Sequence, residues 1–259
     1  MKLALAGKGG VGKTSIAGTL ARQLGRDGHS VLALDNDLNP NLSLTLGIPA
    51  ERLADLPTLP HSLARLLPTG ELVLTKSIED IVAIYAHTAP DGVKLLVGAQ
   101  PTEANTGCFG FMHHTVGRVL RAAANLPGEV CILDTEASTE HLCLGTAKFA
   151  DAMYAVVEPY FKSLETGRRI ALLARDLGIP RVGLIANKVR DAKDLATVRE
   201  FAERHEIELA GSVPQDDCFF AAERAAVAPI DFAPDAPAVV AIGELGRSLL
   251  AAHASAAAA

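Results

Sequence analysis

Eight consecutive residues, Gly7-Lys8-Gly9-Gly10-Val11-Gly12-Lys13-Thr14, have the types and spacing needed to grip a chain of phosphates. The glycines let the backbone turn so that successive N–H groups point at one anion. A helical pattern opening at Ser15 sets its positive end on the same spot. The spacing G-x-x-x-x-G-K-[ST] lets Lys13 reach the outer phosphates and the Thr14 hydroxyl ligate Mg²⁺. Gly9, Gly10, Val11, Gly12, Lys13, Thr14 and Ser15 are therefore the expected nucleotide cradle. Two acidic runs could supply the remaining chemistry: Asp35-Asn36-Asp37 and Asp134-Thr135-Glu136. A carboxylate beside such a loop can orient an attacking water or hold a metal-bound one. The plainer reading of either run is a helix cap or an Asx-turn.

These groups meet only if several strands end at one edge. Apolar runs suited to buried strands occur at 1–7, Ser30–Leu34, Val93–Val97, Val130–Leu133, Met153–Val157 and Arg181–Ala186. Helical stripes lie between them: Ile16, Leu20 and Leu24; Val116 to Leu126; Ser163 to Asp176; and finally Val239, Ile242, Leu245 and Leu249. Strands alternating with helices predict a doubly wound α/β domain with a mostly parallel sheet, its ligand edge at the strand C-termini. Both acidic runs follow strand ends, as does Asn187-Lys188, whose amide can donate to and accept from a purine edge. Prolines at 49, 57, 60 and 68 break residues 49–92, which read as an elaborated connection inside a single domain spanning 1–259. The Ala-rich end from residue 254 is expected to fray.

With a net charge of −6 and a pI near 5.7, the chain lacks the basic stripe of a nucleic-acid binder. No apolar run approaches the ~20 residues of a membrane span, and the N-terminus does not read as a leader. Four scattered cysteines fit a reducing compartment, so the cytoplasm is expected.

The run Lys8-Gly9-Gly10-Val11-Gly12-Lys13-Thr14 resembles the deviant phosphate loop of the MinD/ParA/nitrogenase-iron-protein class of P-loop ATPases. That resemblance implies ATP and ADP as ligands with Mg²⁺, and a homodimer in which Lys8 crosses to the partner's nucleotide. It implies that Asp37, with Asp35 a weaker candidate, positions the hydrolytic water. Asp134 becomes the acid that accepts from Mg²⁺-bound water, and Asn187 with Lys188 the base reader. Gly211–Asp216, including Pro214, becomes the loop over adenine.

The runs D-T-E-A-S-T-E-H from Asp134, G-T-A-K-F-A-D-A from Gly145 and V-V-E-P-Y-F-K-S from Val156 look more narrowly like the nickel-insertion ATPases of carbon-monoxide dehydrogenase, the CooC type. The implied role is a maturation factor that loads metal into a client metalloenzyme. Ser138 stands where that family has glycine. The family's C-x-C is here Cys108-Phe109-Gly110, so a Ni²⁺ or Zn²⁺ site across a dyad would need Cys108 from both subunits plus His113, His114 or Cys143. The plainer reading makes Cys108 a small apolar filler and the histidines caps or solvated groups. Two alternatives stand beside metal insertion. One is an iron-protein-like redox ATPase with an iron–sulfur cluster on Cys108 and Cys143. The other is a positioning ATPase of the MinD/ParA type, against which the acidic pI counts. Cys131 is expected in the core, and Cys218 to be incidental.

Overall fold

The computed structural model of the protein describes residues 1–100, 109–126 and 129–258. Among them, strands β1 (Lys2–Gly7), β2 (Ser30–Asn36), β5 (His87–Thr88), β6 (Lys94–Val97), β7 (Glu129–Thr135), β8 (Ala152–Val157), β9 (Arg181–Val189) and β10 (Glu208–Pro214) form one sheet. Its order is β10-β9-β8-β1-β7-β2-β6-β5, and only the β5–β6 edge pair is antiparallel. A separate hairpin pairs β3 (Ala64–Leu66) with β4 (Leu72–Leu74). The helices are α1 (Lys13–Arg26), α2 (Leu42–Thr45), α3 (Ile78–Tyr85), α4 (Gly110–Ala122), α5 (Glu140–Cys143), α6 (Phe161–Asp176), α7 (Ala192–Arg204), α8 (Cys218–Arg224), α9 (Pro229–Phe232) and α10 (Pro237–Ala258). No helix among the described residues is long and apolar enough to cross a membrane.

Parallel strands joined by helices bury both sheet faces, which is why the central strands read as unbroken apolar runs. Alternate residues serve opposite layers. Leu3 and Leu5 of β1 face α1 and α10, whereas Ala4 and Ala6 join the layer of α4 and α6. The register then fixes what lies at the C-terminal edge. Asp35 of β2 pairs with Asp134 of β7, which in turn pairs with Leu5 of β1, two residues before the glycine loop.

Three sequence expectations need correction. Gly211–Pro214 belongs to strand β10 rather than to a loop, since it pairs along β9 from Ile185 to Val189. The turn starts at Gln215, whose N–H donates to the Val189 carbonyl. Within 49–92, read above only as a connection, Ala64–Leu66 is a hairpin strand and Ile78–Tyr85 a helix capped by Ser77. At the other end, α10 is helical as far as Ala258, past the point where fraying was expected.

The 49–92 segment is fastened by Arg22, which lies on α1 and is 2% exposed. Its guanidinium donates to Asp91 at 2.5 Å, to both Asp231 oxygens at 2.8 and 2.9 Å, and to the Leu46 carbonyl at 2.8 Å. Arg26, one turn on, repeats the bonds to Asp91 and Asp231. One buried cation thus joins the helix after the glycine loop to the connection before β6 and to α9. Removing it leaves the buried Leu46 carbonyl without its donor and the two carboxylates with only Arg26 between them. Arg22→Ala is expected to lower the unfolding free energy by about 3 kcal/mol, read as a fall in urea midpoint at unchanged slope.

Candidate nucleotide site and its switch segments

The loop between β1 and α1 is wound by glycines at positive φ, +79° at Gly10 and +93° at Gly12. At Gly12 a side chain would also collide with the Asn187 amide. Helix α1 starts at Lys13 with no side-chain cap and no acid in its first turn. Its first N–H groups therefore remain open to an anion. Val11 is wholly buried, while Gly9 and Gly10 lie at the surface and Thr14 and Ser15 are half-buried.

Asn187 and Lys188, at the end of β9, hold this loop. The Asn187 Nδ2 donates to the Val11 carbonyl at 2.7 Å. Lys188, in the left-handed region at φ 56°, donates from Nζ to the Gly10 carbonyl at 2.6 Å and to Glu158 at 2.8 Å. Both residues, expected from the sequence to serve the base, are engaged here in bonds to the phosphate loop. Beside them opens a cavity of about 400 Å³, bounded by Gly12, Ser15, Asn187, Pro214, Phe219 and Ile242. One end meets the phosphate loop and the other is apolar, as a nucleoside requires.

At the adjoining strand ends, three carboxylates face one ammonium. Lys13 is 6% exposed, and burial lowers its pKa against the pull of Asp134, Asp37 and Glu136. Asp134 is fully buried and its pKa is raised, first by desolvation and then by Asp35. The Thr14 hydroxyl lies near enough to oppose that rise, yet no bond of good geometry reaches either Asp134 oxygen. Two bare, buried carboxylate oxygens beside a threonine hydroxyl suit a hydrated Mg²⁺.

Asp35 and Asp37 divide their work. The Asp35 carboxylate accepts from the N–H of Asp37 at 3.1 Å and of Leu42 at 2.9 Å, so it pins the following loop. This local use fits Asp35 better than water activation does. Asp37 is half-buried and accepts from the Asn39 N–H at 2.9 Å through one oxygen. Ser138 donates to Glu136 at 2.6 Å and accepts from the Glu140 N–H at 3.0 Å, tying the segment after β7 to itself.

Lys8 is exposed, 3.5 Å from the Tyr160 hydroxyl and 5.5 Å from its ring centre. Tyr160 and the neighbouring Phe161 are also exposed, at 40% and 73%.

Among the described residues, the candidate ligands for Ni²⁺ or Zn²⁺ form no group that could hold an ion. Cys108 lies outside the described residues, and among those described no three His, Cys, Asp or Glu side chains are grouped to hold a metal ion. His114 and Cys143 are exposed. His113 is neither a cap nor solvated: it is 3% exposed, with Nδ1 3.0 Å from Asn36 Nδ2 and 3.3 Å from Thr146 Oγ1. Cys131 is core, as expected. The Cys218 thiol is pushed up to about 12 by burial and by Asp216.

This geometry has relatives. Residues 2–230 match the model of the CobQ/CobB/MinD/ParA nucleotide-binding domain. The chain belongs to that family. Like other CobQ/CobB/MinD/ParA proteins of the P-loop ATPase kind, it is an ATPase. It is 37% identical over 244 residues to the carbon monoxide dehydrogenase accessory protein CooC of Rhodospirillum rubrum, covering 90% of this chain and 91% of that one. An ATP-binding protein of Methanocaldococcus jannaschii is 35% identical over 84% of this chain and 86% of its own. Among solved structures, the MinD of Pyrococcus horikoshii with Mg-ADP superposes at a TM-score of 0.71 and 18% identity, over 96% and 95% of the two chains. The family fold thus extends over nearly all of the sequence.

The buried carboxylate of Asp134 gives a pH signature. Its folded pKa lies above the ordinary carboxylate value, so as pH rises the unfolded chain releases this proton first. Folding stability then falls with rising pH across that window. In nucleotide-free protein, Asp134→Asn is expected to raise the urea midpoint more at about pH 8 than at about pH 5. An equal gain at both would remove the buried charge as its cause.

Proposed function

We propose that this protein is an ATP-driven dimeric switch that assists metal loading of a client metalloenzyme. The observation that carries the reading is the 37% identity, spread over nine-tenths of both chains, to a carbon monoxide dehydrogenase accessory protein. The nucleotide half rests on the site itself. The open amides of Gly9 to Ser15 and the buried Lys13 receive the phosphates. Thr14 ligates Mg²⁺, with Asp134 and Asp37 accepting from its waters. Asp37 orients the attacking water, and Asn187, Lys188 and Pro214 border the base. Mg²⁺ supplies charge neutralisation at the transferring phosphoryl group.

Lys8 serves the nucleotide of a second copy. Its exposed position beside Tyr160 and Phe161 supports this, because a lysine turned to the rim can be shared across a face. ATP closes the homodimer and hydrolysis reopens it, so the output is a change of shape. The cargo is a thiophilic divalent ion such as Ni²⁺ or Zn²⁺, held by Cys108 of both subunits. The cytoplasm is its place of action.

A redox reading draws on 27% identity to nitrogenase iron protein 2 of Methanothermobacter thermautotrophicus. It would put an iron–sulfur cluster on Cys108 and the exposed Cys143 of two subunits. Anaerobically purified protein absorbing near ~400 nm would favour that reading over metal insertion.

Two experiments test the proposal. Lys13→Ala should abolish ATP binding in calorimetry, whereas Asp37→Ala should bind ATP with less than about a hundredth of the wild-type turnover. Normal turnover in Asp37→Ala overturns its role. Elemental analysis with and without ATP should find about one Ni or Zn per two chains, and little after Cys108→Ser. Unchanged metal content in that variant overturns the Cys108 site.

A further inference from the structure

Asn36 lies between Asp35 and Asp37 at the end of β2, and Glu136 lies two residues past Asp134 at the end of β7. Both segments face the phosphate site, and both reach the same buried imidazole. His113, the fourth residue of α4, puts Nδ1 3.0 Å from Asn36 Nδ2 and 3.3 Å from Thr146 Oγ1. Its Nε2 stands 3.9 Å from Glu136 Oε2. With Nδ1 accepting from the Asn36 amide, the ring proton sits on Nε2 and points at that carboxylate. A movement of about 1 Å would bring this pair to hydrogen-bond length.

The surrounding network is incompletely satisfied. The Asn36 Oδ1 is buried without a partner, and so are both ring nitrogens of His141, a residue with no exposed surface. The Ser138 backbone lies near His141 without closing a bond of good geometry. Glu140, His114 and Lys13 are the other charged or titratable groups that these rings sense. Burial lowers both imidazole pKa values, at His113 against Glu136 and Glu140 and at His141 together with His113 and Lys13, and so favours the neutral rings. A histidine used only as core filler would sit in a closed set of bonds. Unpaired buried atoms on the very segments that flank the phosphates mark an arrangement with a second, better-bonded state.

We infer that His113 is a positioning residue that ties both phosphate-facing segments to α4, and so carries the nucleotide state to that helix. The inference rests on the reading of this site as an ATP switch. Closure of the Glu136 segment on the γ-phosphate draws its carboxylate onto Nε2, while Nδ1 keeps Asn36, and with it Asp37, in register. Helix α4 then moves with the segments rather than independently of them.

The test uses the full chain loaded with ADP or with a non-hydrolysable ATP analogue, following amide hydrogen exchange in α4. In the wild type, α4 exchange should differ between the two states. His113→Phe keeps the shape and removes both ring nitrogens. It should bind ATP within about threefold of wild type, lose about tenfold in kcat at little-changed KM, and show the same α4 exchange in both states. His113→Asn keeps a polar atom at the Nδ1 place and drops Nε2. It should hold the wild-type melting temperature yet also lose the α4 response, and it decides the matter should the Phe variant not fold. A full ATP-dependent difference in α4 in either folded variant, or none in the wild type, overturns the inference. Failure of the wild type to bind ATP would instead overturn the switch reading beneath it.

Discussion

Everything at the ligand edge follows from crowding negative charge around one buried ammonium. The β2–β7 register places Asp35 beside Asp134, Asp37 follows two residues on, and Lys13 is the cation that Asp134, Asp37 and Glu136 share. Carboxylates this close repel one another, and burial makes Asp35 and Asp134 harder to ionise. Such a cluster is costly in a protein that only has to fold. It becomes favourable when a divalent cation and a polyphosphate enter together, the cation meeting the acids and the phosphates meeting Lys13 and the open α1 amides. The site is thus built for a charged pair of ligands, and binding relieves a cost already present in the fold.

That constraint explains the surrounding fastenings. A loop held open for an anion cannot be closed by its own caps, so its carbonyls are held from outside by Asn187 and Lys188. The helix it feeds is fixed from behind by Arg22. Asp35 spends its carboxylate on the backbone of Asp37 and Leu42, which leaves Asp37 on a loop whose start is fixed and whose tip is not. Rigid elements surround the loop, and the segments beyond Asp37 and Asp134 are the ones free to respond.

How much of this was legible in the sequence follows from the range of each interaction. The glycine loop and the acids at strand ends are local patterns, because spacing along one strand or helix sets their placement, and they stand where the pattern put them. Strand existence was equally plain, since parallel strands buried on both faces leave unbroken apolar runs such as Leu3–Ala6 and Val130–Leu133. What escaped depends on partners far along the chain. Nothing near Arg22 announces Asp231, more than two hundred residues away. Nor does the run Phe111-Met112-His113-His114 reveal which histidine turns inward. The helical phase of α4 relative to Val116 and Leu120 was the available signal, because His113 lies on their face and His114 does not. Gly211–Pro214 was misread for a related reason: an edge strand that is only half-buried has glycine and proline in common with a loop.

The turn after β7 is braced by its own side chains. Ser138 donates to Glu136 and accepts from the Glu140 N–H, which stitches Glu136 to the start of α5. These two bonds restrict bending between Glu136 and Glu140. Thr146 is one of the two groups on His113 Nδ1. A turn braced in this way, with Thr146 beyond it held on His113, favours displacement as a body over rearrangement within.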